Sequence, residues 1–361
     1  MTGSVALWYE RTTTPPTGDR AKVEVHFNLW RHIQSSHDSN FLDVGLLISD
    51  AYELKTMTFF VPAAVALNKI EDLSPKLRDN KLLSAVFNDV VTQSGSSGDT
   101  SFTVATRGKK HFLTFHGVDL ANDVIWSQSE PTNSRSGVKL EFNNTFCSRL
   151  RGPGKHYIRL RFNLTDETAT EFSTSRASQG GFVASTLWSE EFTELRFNEM
   201  RNLPESVLSQ IDSTTSETFD VTAAHCFIIR DLTFELVASH GAMQKMRRME
   251  ANLWEGYLPT ELSYVDIGNM MIYHWRAVSG PVENFVSLAR FRAPRGNLPY
   301  YFIGVVLLGA LGSAVEDMLA SWYKGGVWGA LMASAWIALT MAIVLAFAFR
   351  FWLFSSVKKF M

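Results

Sequence analysis

The sequence lacks the short motifs by which common enzyme classes are recognised. It contains no phosphate-binding loop, no Gly-x-Gly-x-x-Gly fingerprint and no Gly-x-Ser-x-Gly nucleophile elbow. It has only two cysteines, Cys147 and Cys226, which are far apart and cannot form paired zinc half-sites. The histidines that are close in sequence do not form a ligand motif either, and we expect ordinary core or surface residues at His32, His37, His111, His116 and His225. The sequence therefore predicts no catalytic residues, no metal site and no cofactor.

The chain also lacks an excess of charge of one sign and a secretory leader. Its 34 basic and 36 acidic residues give a formal net charge of −2, which excludes a globally basic nucleic-acid binder. Any anionic ligand must then be bound by a local patch. The first ten residues have no basic start and no long apolar core, so we expect no signal peptide and a cytoplasmic N-terminal part.

Long apolar runs are confined to the last sixty residues. Residues 300–315 and 327–349 are almost continuously apolar, and about 20 such residues are needed to cross a bilayer as a helix. Basic residues lie outside the two runs, at Arg290, Arg292 and Arg295 before the first and at Lys358 and Lys359 after the second. By the positive-inside rule, this pattern predicts a two-helix transmembrane hairpin with both termini in the cytoplasm.

In the first apolar run, one face of the predicted helix consists of small residues followed by an acidic residue. Gly309, Gly312, Ser313 and Glu316 share this face by helical spacing, and Asp317 follows. Small residues allow helices to approach closely, and carboxylate rings favour cations, so these five residues are predicted to line a pore. Two alternatives stay open. The carboxylates can lie at the outer headgroup boundary, and the hairpin can be a plain anchor.

The residues before the hairpin predict a mainly β domain with a few helices. Val23, Val25, Phe27 and Leu29 alternate with polar residues, which is the pattern of a half-buried strand, and similar runs recur along the chain. Helices are expected at 75–90, 204–211 and 243–254. The sequence therefore predicts a β-sandwich or barrel-like sensor domain at 1–289, a connector at 290–298 and the hairpin at 299–361.

Basic and aromatic residues cluster around one glycine-rich loop and the strand after it. Period two places Tyr157, Arg159 and Arg161 on one face of that strand. Arginine forks bind phosphates and aromatic rings stack on bases, which predicts a site for a nucleotide or a short single-stranded nucleic acid. The alternative is an ordinary solvated face whose arginines pair with carboxylates. The predicted ligand-binding residues are Arg149, Arg151, Lys155, Tyr157, Arg159 and Arg161.

A β-rich cytoplasmic part followed by a hairpin, with no catalytic motif, resembles bacterial membrane effectors of anti-phage defence. The residues that carry this resemblance are the two apolar runs, Glu316 and the Tyr157, Arg159 and Arg161 face. The resemblance implies an ion channel or pore in the lipid bilayer of a bacterial inner membrane, controlled by an anionic nucleotide or oligonucleotide signal. It also implies a homo-oligomer of four or more chains, because two helices cannot enclose an aqueous path. The main alternative is a membrane-anchored scaffold that recruits a protein partner, and the third is an anchored enzyme.

Overall fold

The computed structural model describes most of the first 294 residues and part of the remainder. The described residues are 3–294 without 13–17, 32–39, 97–99, 109, 133–134, 179–186, 255, 260–261, 263–264 and 279–281, and 302–342 without 303, 318, 321–322, 325, 327, 329–330, 332–333, 336–337 and 340–341. By compactness the chain forms two units, one of residues 1–176 and 190–293 and the other of residues 177–189 and 294–361.

Strands make up most of the first unit, and the mainly β prediction is confirmed. The strands are β1 Ala6–Arg11, β2 Lys22–Trp30, β3 Asn40–Ser49, β4 Leu54–Val61, β5 Ile70–Asp72, β6 Val91–Ser96, β7 Ser101–Thr106, β8 His111–His116, β9 Val124–Thr132, β10 Arg135–Phe142, β11 Lys155–Leu164, β12 Ser173–Ala177, β13 Trp188–Phe197, β14 Ser216–Thr218, β15 Asp220–Asp231, β16 Glu235–Ser239, β17 Met243–Arg248, β18 Met270–Ala277 and β19 Phe285–Pro294. Short helices connect them, namely α1 Asn80–Phe87, α2 Asn144–Ser148, α3 Asp166–Ala169, α4 Glu205–Ile211 and α5 Ala251–Trp254.

The strands form three sheets. The largest has the order β17-β18-β15-β2-β3-β11-β8-β7-β6, with β5 also paired to β11. Within it, β15 runs parallel to β2 and β11 runs parallel to β8. The second sheet has the order β14-β1-β4-β10-β9, and the third has the order β12-β13-β19-β16.

Apolar residues cover both faces of the largest sheet. On one face, Val25 and Phe27 of β2 and Phe162 of β11 belong to a core that includes Phe59 of the second sheet, so these two sheets pack as a sandwich. The rings of Phe59 and Phe162 lie 6.0 Å apart. On the opposite face, a second core is closed by α1 and by Leu253, Trp254, Tyr257 and Leu258. The polar side of β2 and β11 therefore faces a second layer of structure.

Helix α1 begins at a side-chain cap. The Asp79 carboxylate accepts hydrogen bonds from the backbone N–H groups of Lys81 and Leu82, at 2.8 and 3.0 Å. The helix ends at Asn88 in the left-handed conformation, with φ of 50°. Its buried leucines, Leu82 and Leu83, then point into the second core.

The predicted helix at 243–254 is wrong for most of its length. Residues Met243–Arg248 form edge strand β17, paired with β18, and only Ala251–Trp254 is helical. Arg247 and Arg248 thus lie on a sheet edge, where charged side chains discourage further pairing. The first residues of the predicted connector belong to β19, and 295–298 lies outside the described residues.

No helix among the described residues is both long enough and apolar enough to cross a membrane. The longest continuous run of described helical residues in the predicted hairpin is 304–317, which spans about 21 Å against a hydrocarbon core of about 30 Å. Much of the second apolar run, 327–349, lies outside the described residues. The predictions of a C-terminal transmembrane hairpin, of a membrane channel and of an inner-membrane location are corrected by this finding.

Candidate functional site

One glutamate and three histidines meet on the second-core face of the largest sheet. Glu24 and His26 are two residues apart on β2, so their side chains project from the same face. His225 of β15 lies directly opposite His26, and His274 of β18 lies opposite Phe227, two residues further along β15. The pairing of β2 with β15 and of β15 with β18 thus places the four side chains together, although about 200 residues separate β2 from β15.

The glutamate lies between two imidazoles. The Nε2 atom of His26 is 3.0 Å from Oε1 of Glu24, and Nε2 of His225 is 3.3 Å from the same oxygen. These donor atoms all lie within 4.8 Å of one another, which is compact enough for one metal ion to reach all three. The contact of the buried His225 Nε2 with Glu24 does not have hydrogen-bond geometry, and this nitrogen has no other hydrogen-bond partner among the described residues. We refer to Glu24, His26 and His225 as the histidine–glutamate site.

The Nδ1 atoms of His225 and His26, which are the ring nitrogens that do not contact Glu24, each contact a further side chain. Nδ1 of His225 lies 3.0 Å from Nε2 of His274, and Nδ1 of His26 lies 3.2 Å from the Tyr157 hydroxyl. The ring of His274 is also stacked on Phe227, with centroids 4.3 Å apart. Outer hydrogen bonds of this kind orient a histidine so that its other nitrogen points at a metal ion.

The two imidazole contacts favour the ionised glutamate, and burial disfavours the charged forms of His26 and His274. The contacts with His225 and then His26 hold the pKa of Glu24 well below its ordinary value. Burial lowers the pKa of His26 despite the carboxylate beside it. Burial, and then the charge of His225, lower the pKa of His274 to about 4. A carboxylate and neutral imidazoles are the protonation states that bind metal ions.

A buried hydrogen-bond network continues from the site through β11 and β3. The Tyr157 hydroxyl accepts a hydrogen bond from Nη1 of Arg159 at 2.9 Å, and Nε of Arg159 donates to the Tyr257 hydroxyl at 2.9 Å. Tyr257 in turn donates to Asp43 at 2.7 Å. Asp43 is fully buried and pairs with Arg161, whose Nε lies 2.7 Å away.

Gly45 on β3 makes room for this network. A side-chain carbon at this position would lie 2.0 Å from the Tyr157 oxygen and 3.1 Å from Nη1 of Arg159. Since real side chains do not approach so closely, glycine is required where Tyr157 and Arg159 cross β3.

The predicted ligand-binding residues do not form one exposed patch. Tyr157, Arg159 and Arg161 do share a face, as period two indicated, but at most 1% of each residue is exposed. Both interpretations of this face, as a ligand-binding surface or as an ordinary solvated surface, assumed that its side chains are exposed. The structure does not show such an exposed face. Their role as ligand contacts stays a prediction.

The loop residues have separate partners. Arg149 is ion-paired with Asp123 and lies over the ring of Phe146. Arg151 donates to the backbone oxygen of Leu54 at 2.6 Å. Lys155 is exposed at the start of β11.

The predicted pore-lining residues lie on the helical run 304–317. Gly309, Gly312, Ser313, Glu316 and Asp317 are all exposed. No other part of the described chain lies within 4 Å of where a side-chain carbon would sit at Gly309 or Gly312.

Sequence reasoning missed the histidine–glutamate site. Histidines that are close in sequence form no ligand motif, and the site instead joins residues from distant strands. The sequence feature that could have indicated the site is Glu24-Val25-His26. In the strand predicted over this segment, the two metal-binding side chains Glu24 and His26 project from the same face. Nothing in the sequence indicated that β15 pairs with β2.

A second histidine pair lies elsewhere on the same sheet. Nε2 of His116 is 3.0 Å from Nδ1 of His156, and both rings are buried. Burial, together with the charges of His156 and Arg149, lowers the pKa of His116 to about 3. No carboxylate joins this pair within the part of the chain that the structure describes, so it offers fewer ligands than the histidine–glutamate site.

Compared with known proteins, the sequence matches no protein family and no curated protein.

Proposed function

We propose that this protein binds a divalent transition-metal ion through Glu24, His26 and His225. The observation that carries the proposal is that one Glu24 oxygen and one nitrogen each of His26 and His225 lie within 4.8 Å of one another, and that the buried His225 nitrogen meets Glu24 without hydrogen-bond geometry. A metal ion would satisfy that nitrogen and would also screen the carboxylate.

The ligand types favour zinc or another first-row transition ion. Imidazole nitrogen suits zinc and iron, whereas magnesium and calcium prefer all-oxygen sites. Zinc bonds of about 2.0–2.2 Å at tetrahedral angles place neighbouring ligand atoms about 3.3–3.6 Å apart. The separations of 3.0 and 3.3 Å between the Glu24 oxygen and the two imidazoles need only a small expansion, and the two imidazole nitrogens lie within 4.8 Å of each other.

The site offers fewer ligands than a structural zinc site. Three protein ligands leave at least one position for water or an exogenous group, whereas structural zinc sites are closed by four. Glu24 is the most accessible of the three, with 28% of its side chain exposed against 12% for each histidine. The open position would therefore face the side from which a ligand enters, and the bound ion would act on that ligand.

The test is metal binding by purified, chelator-treated protein. We expect one zinc or cobalt ion per chain, with visible absorption from the cobalt form. Glu24→Gln and His225→Gln should each weaken binding at least about 100-fold, because they remove a direct ligand. His274→Leu should weaken it about 10- to 100-fold, because His274 only orients His225.

The matched control is His111→Gln, which alters an exposed histidine on strand β8 of the same sheet. Its affinity should equal that of the wild type. Failure of the wild type to bind one ion, or equal binding by Glu24→Gln and the wild type, would overturn the proposal.

A further inference from the structure

The buried network behind the site contains one more cation than anion. Asp43 is the carboxylate of this network, and it is engaged by Arg161 through Nε at 2.7 Å and Nη2 at 3.1 Å. Arg159 donates instead to two neutral hydroxyl groups, those of Tyr157 and Tyr257. Its Nη2 atom has no hydrogen-bond partner among the described residues. The charge of Arg159 is therefore not neutralised by a direct ion pair.

The hydroxyl group of Tyr157 links Arg159 to His26, which is one of the proposed metal ligands. The Tyr157 oxygen contacts both Nη1 of Arg159, at 2.9 Å, and Nδ1 of His26, at 3.2 Å. The Tyr257 hydroxyl donates to Asp43, so it adds no negative charge beside Arg159. In so buried a place, charges act on one another more strongly than they do in water.

Without an ion, the charges of the site and of the network cancel. The site and the network contain two carboxylates, those of Glu24 and Asp43, and two guanidinium groups, those of Arg159 and Arg161. Glu71 also acts on Arg161, but it is paired with Lys76 at 3.0 Å. A divalent ion held by two neutral imidazoles and Glu24 would leave two positive charges uncompensated, which is costly in a partly buried site.

The open side of the site also carries cations. Arg276 and Lys245 flank His274 and lower its pKa further. Arg276 lies opposite His225 in the β15–β18 pairing, and Lys245 lies opposite His274 in the β17–β18 pairing. Both side chains are exposed. Such a cationic rim attracts anions towards the open coordination position.

We propose that the open position of the bound ion takes an anionic oxygen ligand, of the carboxylate or phosphate class, whose charge compensates Arg159 and the metal. The inference rests on the proposed metal site and names the ligand class of that site. Arg159 acts here as a positioning and charge-compensating residue, because Tyr157 and His26 separate it from the ion.

The experiment uses the full chain loaded with cobalt and titrated with inorganic phosphate. We expect saturable changes in the visible spectrum of cobalt, and weaker changes with neutral imidazole at equal concentration. Arg159→Met should weaken phosphate binding about tenfold while cobalt remains bound, because one buried charge is lost. This variant leaves the Asp43–Arg161 pair intact. Lys55→Met, which removes an exposed charge on β4, serves as the control and should bind phosphate like the wild type.

The possible results separate the two proposals. Absence of a cobalt spectrum would refute the metal site itself. A normal cobalt spectrum that imidazole alters and phosphate does not would refute the anionic ligand only. If Arg159→Met does not fold, Arg276→Gln at the exposed rim gives the same test, with an expected loss of phosphate affinity of about threefold.

Discussion

Asp43→Asn tests whether the buried network is held together by charge. The Asp43 carboxylate accepts four hydrogen bonds, two from Arg161, one from the Trp30 indole at 3.0 Å and one from the Tyr257 hydroxyl. An asparagine retains one acceptor oxygen and turns the other towards these donors as an N–H₂ group. It also removes the negative charge that pairs with the fully buried Arg161, beside which Arg159 is buried as well.

The expected cost follows from that environment. Removal of one partner of a buried ion pair destabilises proteins by about 3–5 kcal/mol, because the other charge stays buried. Such a loss is a large part of the roughly 5–15 kcal/mol by which native proteins are stable. We therefore expect Asp43→Asn to lower the free energy of unfolding by about 3–5 kcal/mol, measured by urea denaturation at an unchanged m-value.

Two further variants make the test specific. Glu10→Gln breaks the exposed Glu10–Lys55 pair and should cost less than about 1 kcal/mol. Arg161→Met should cost less in the Asp43→Asn background than alone, because the double variant restores the balance of charge. A loss below about 1 kcal/mol for Asp43→Asn, or strict additivity of the two changes, would contradict the role given to this network.

Two other substitutions test packing and proton binding in the same sheet. Gly45→Ala should lower the free energy of unfolding by about 1–3 kcal/mol, because the new carbon would overlap the Tyr157 hydroxyl, whereas Gly108→Ala, which has open space around it, should change it by less than about 1 kcal/mol. His116 has a folded-state pKa of about 3 against about 6.5 when unfolded, so the unfolded chain binds a proton that the folded one does not, and stability should fall by up to about 1.4 kcal/mol per pH unit below pH 6.5. His116→Gln should reduce this acid sensitivity and the exposed His111→Gln should not, which urea titrations at pH 7 and pH 5 would decide. Equal effects of the two glycine variants would count against the packing around Gly45. If the free energy of unfolding of His116→Gln depended on pH as strongly as that of the wild type, this would count against the burial of His116.

The sequence predicted strand positions well where apolar and polar residues alternate. Lys22–Trp30 contains the predicted run 23–29, because its apolar residues fill one core. The same alternation does not reveal whether the polar side meets water or a second layer, since both arrangements leave the pattern unchanged. For this reason, Arg159 and Arg161 were expected on an open face and are instead buried against Tyr257.

Other features left no local signal. Strand β3 is buried along most of its length and includes Asn40, Asp43 and Gly45, so it shows neither alternation nor a continuous apolar run. The histidine–glutamate site depends on the parallel pairing of β2 with β15, which are separated by most of the domain. Pairing between distant strands is decided by the tertiary fold, and one sequence does not show it.

X-ray absorption at the zinc edge tests the central claim most directly. For the zinc-loaded protein, we predict a first shell of two imidazole nitrogens and carboxylate or exogenous oxygen at about 2.0–2.2 Å. In His225→Gln, the imidazole contribution should fall to one ring. A shell of oxygen alone, or a wild-type spectrum that the His225 substitution leaves unchanged, would contradict binding by Glu24, His26 and His225.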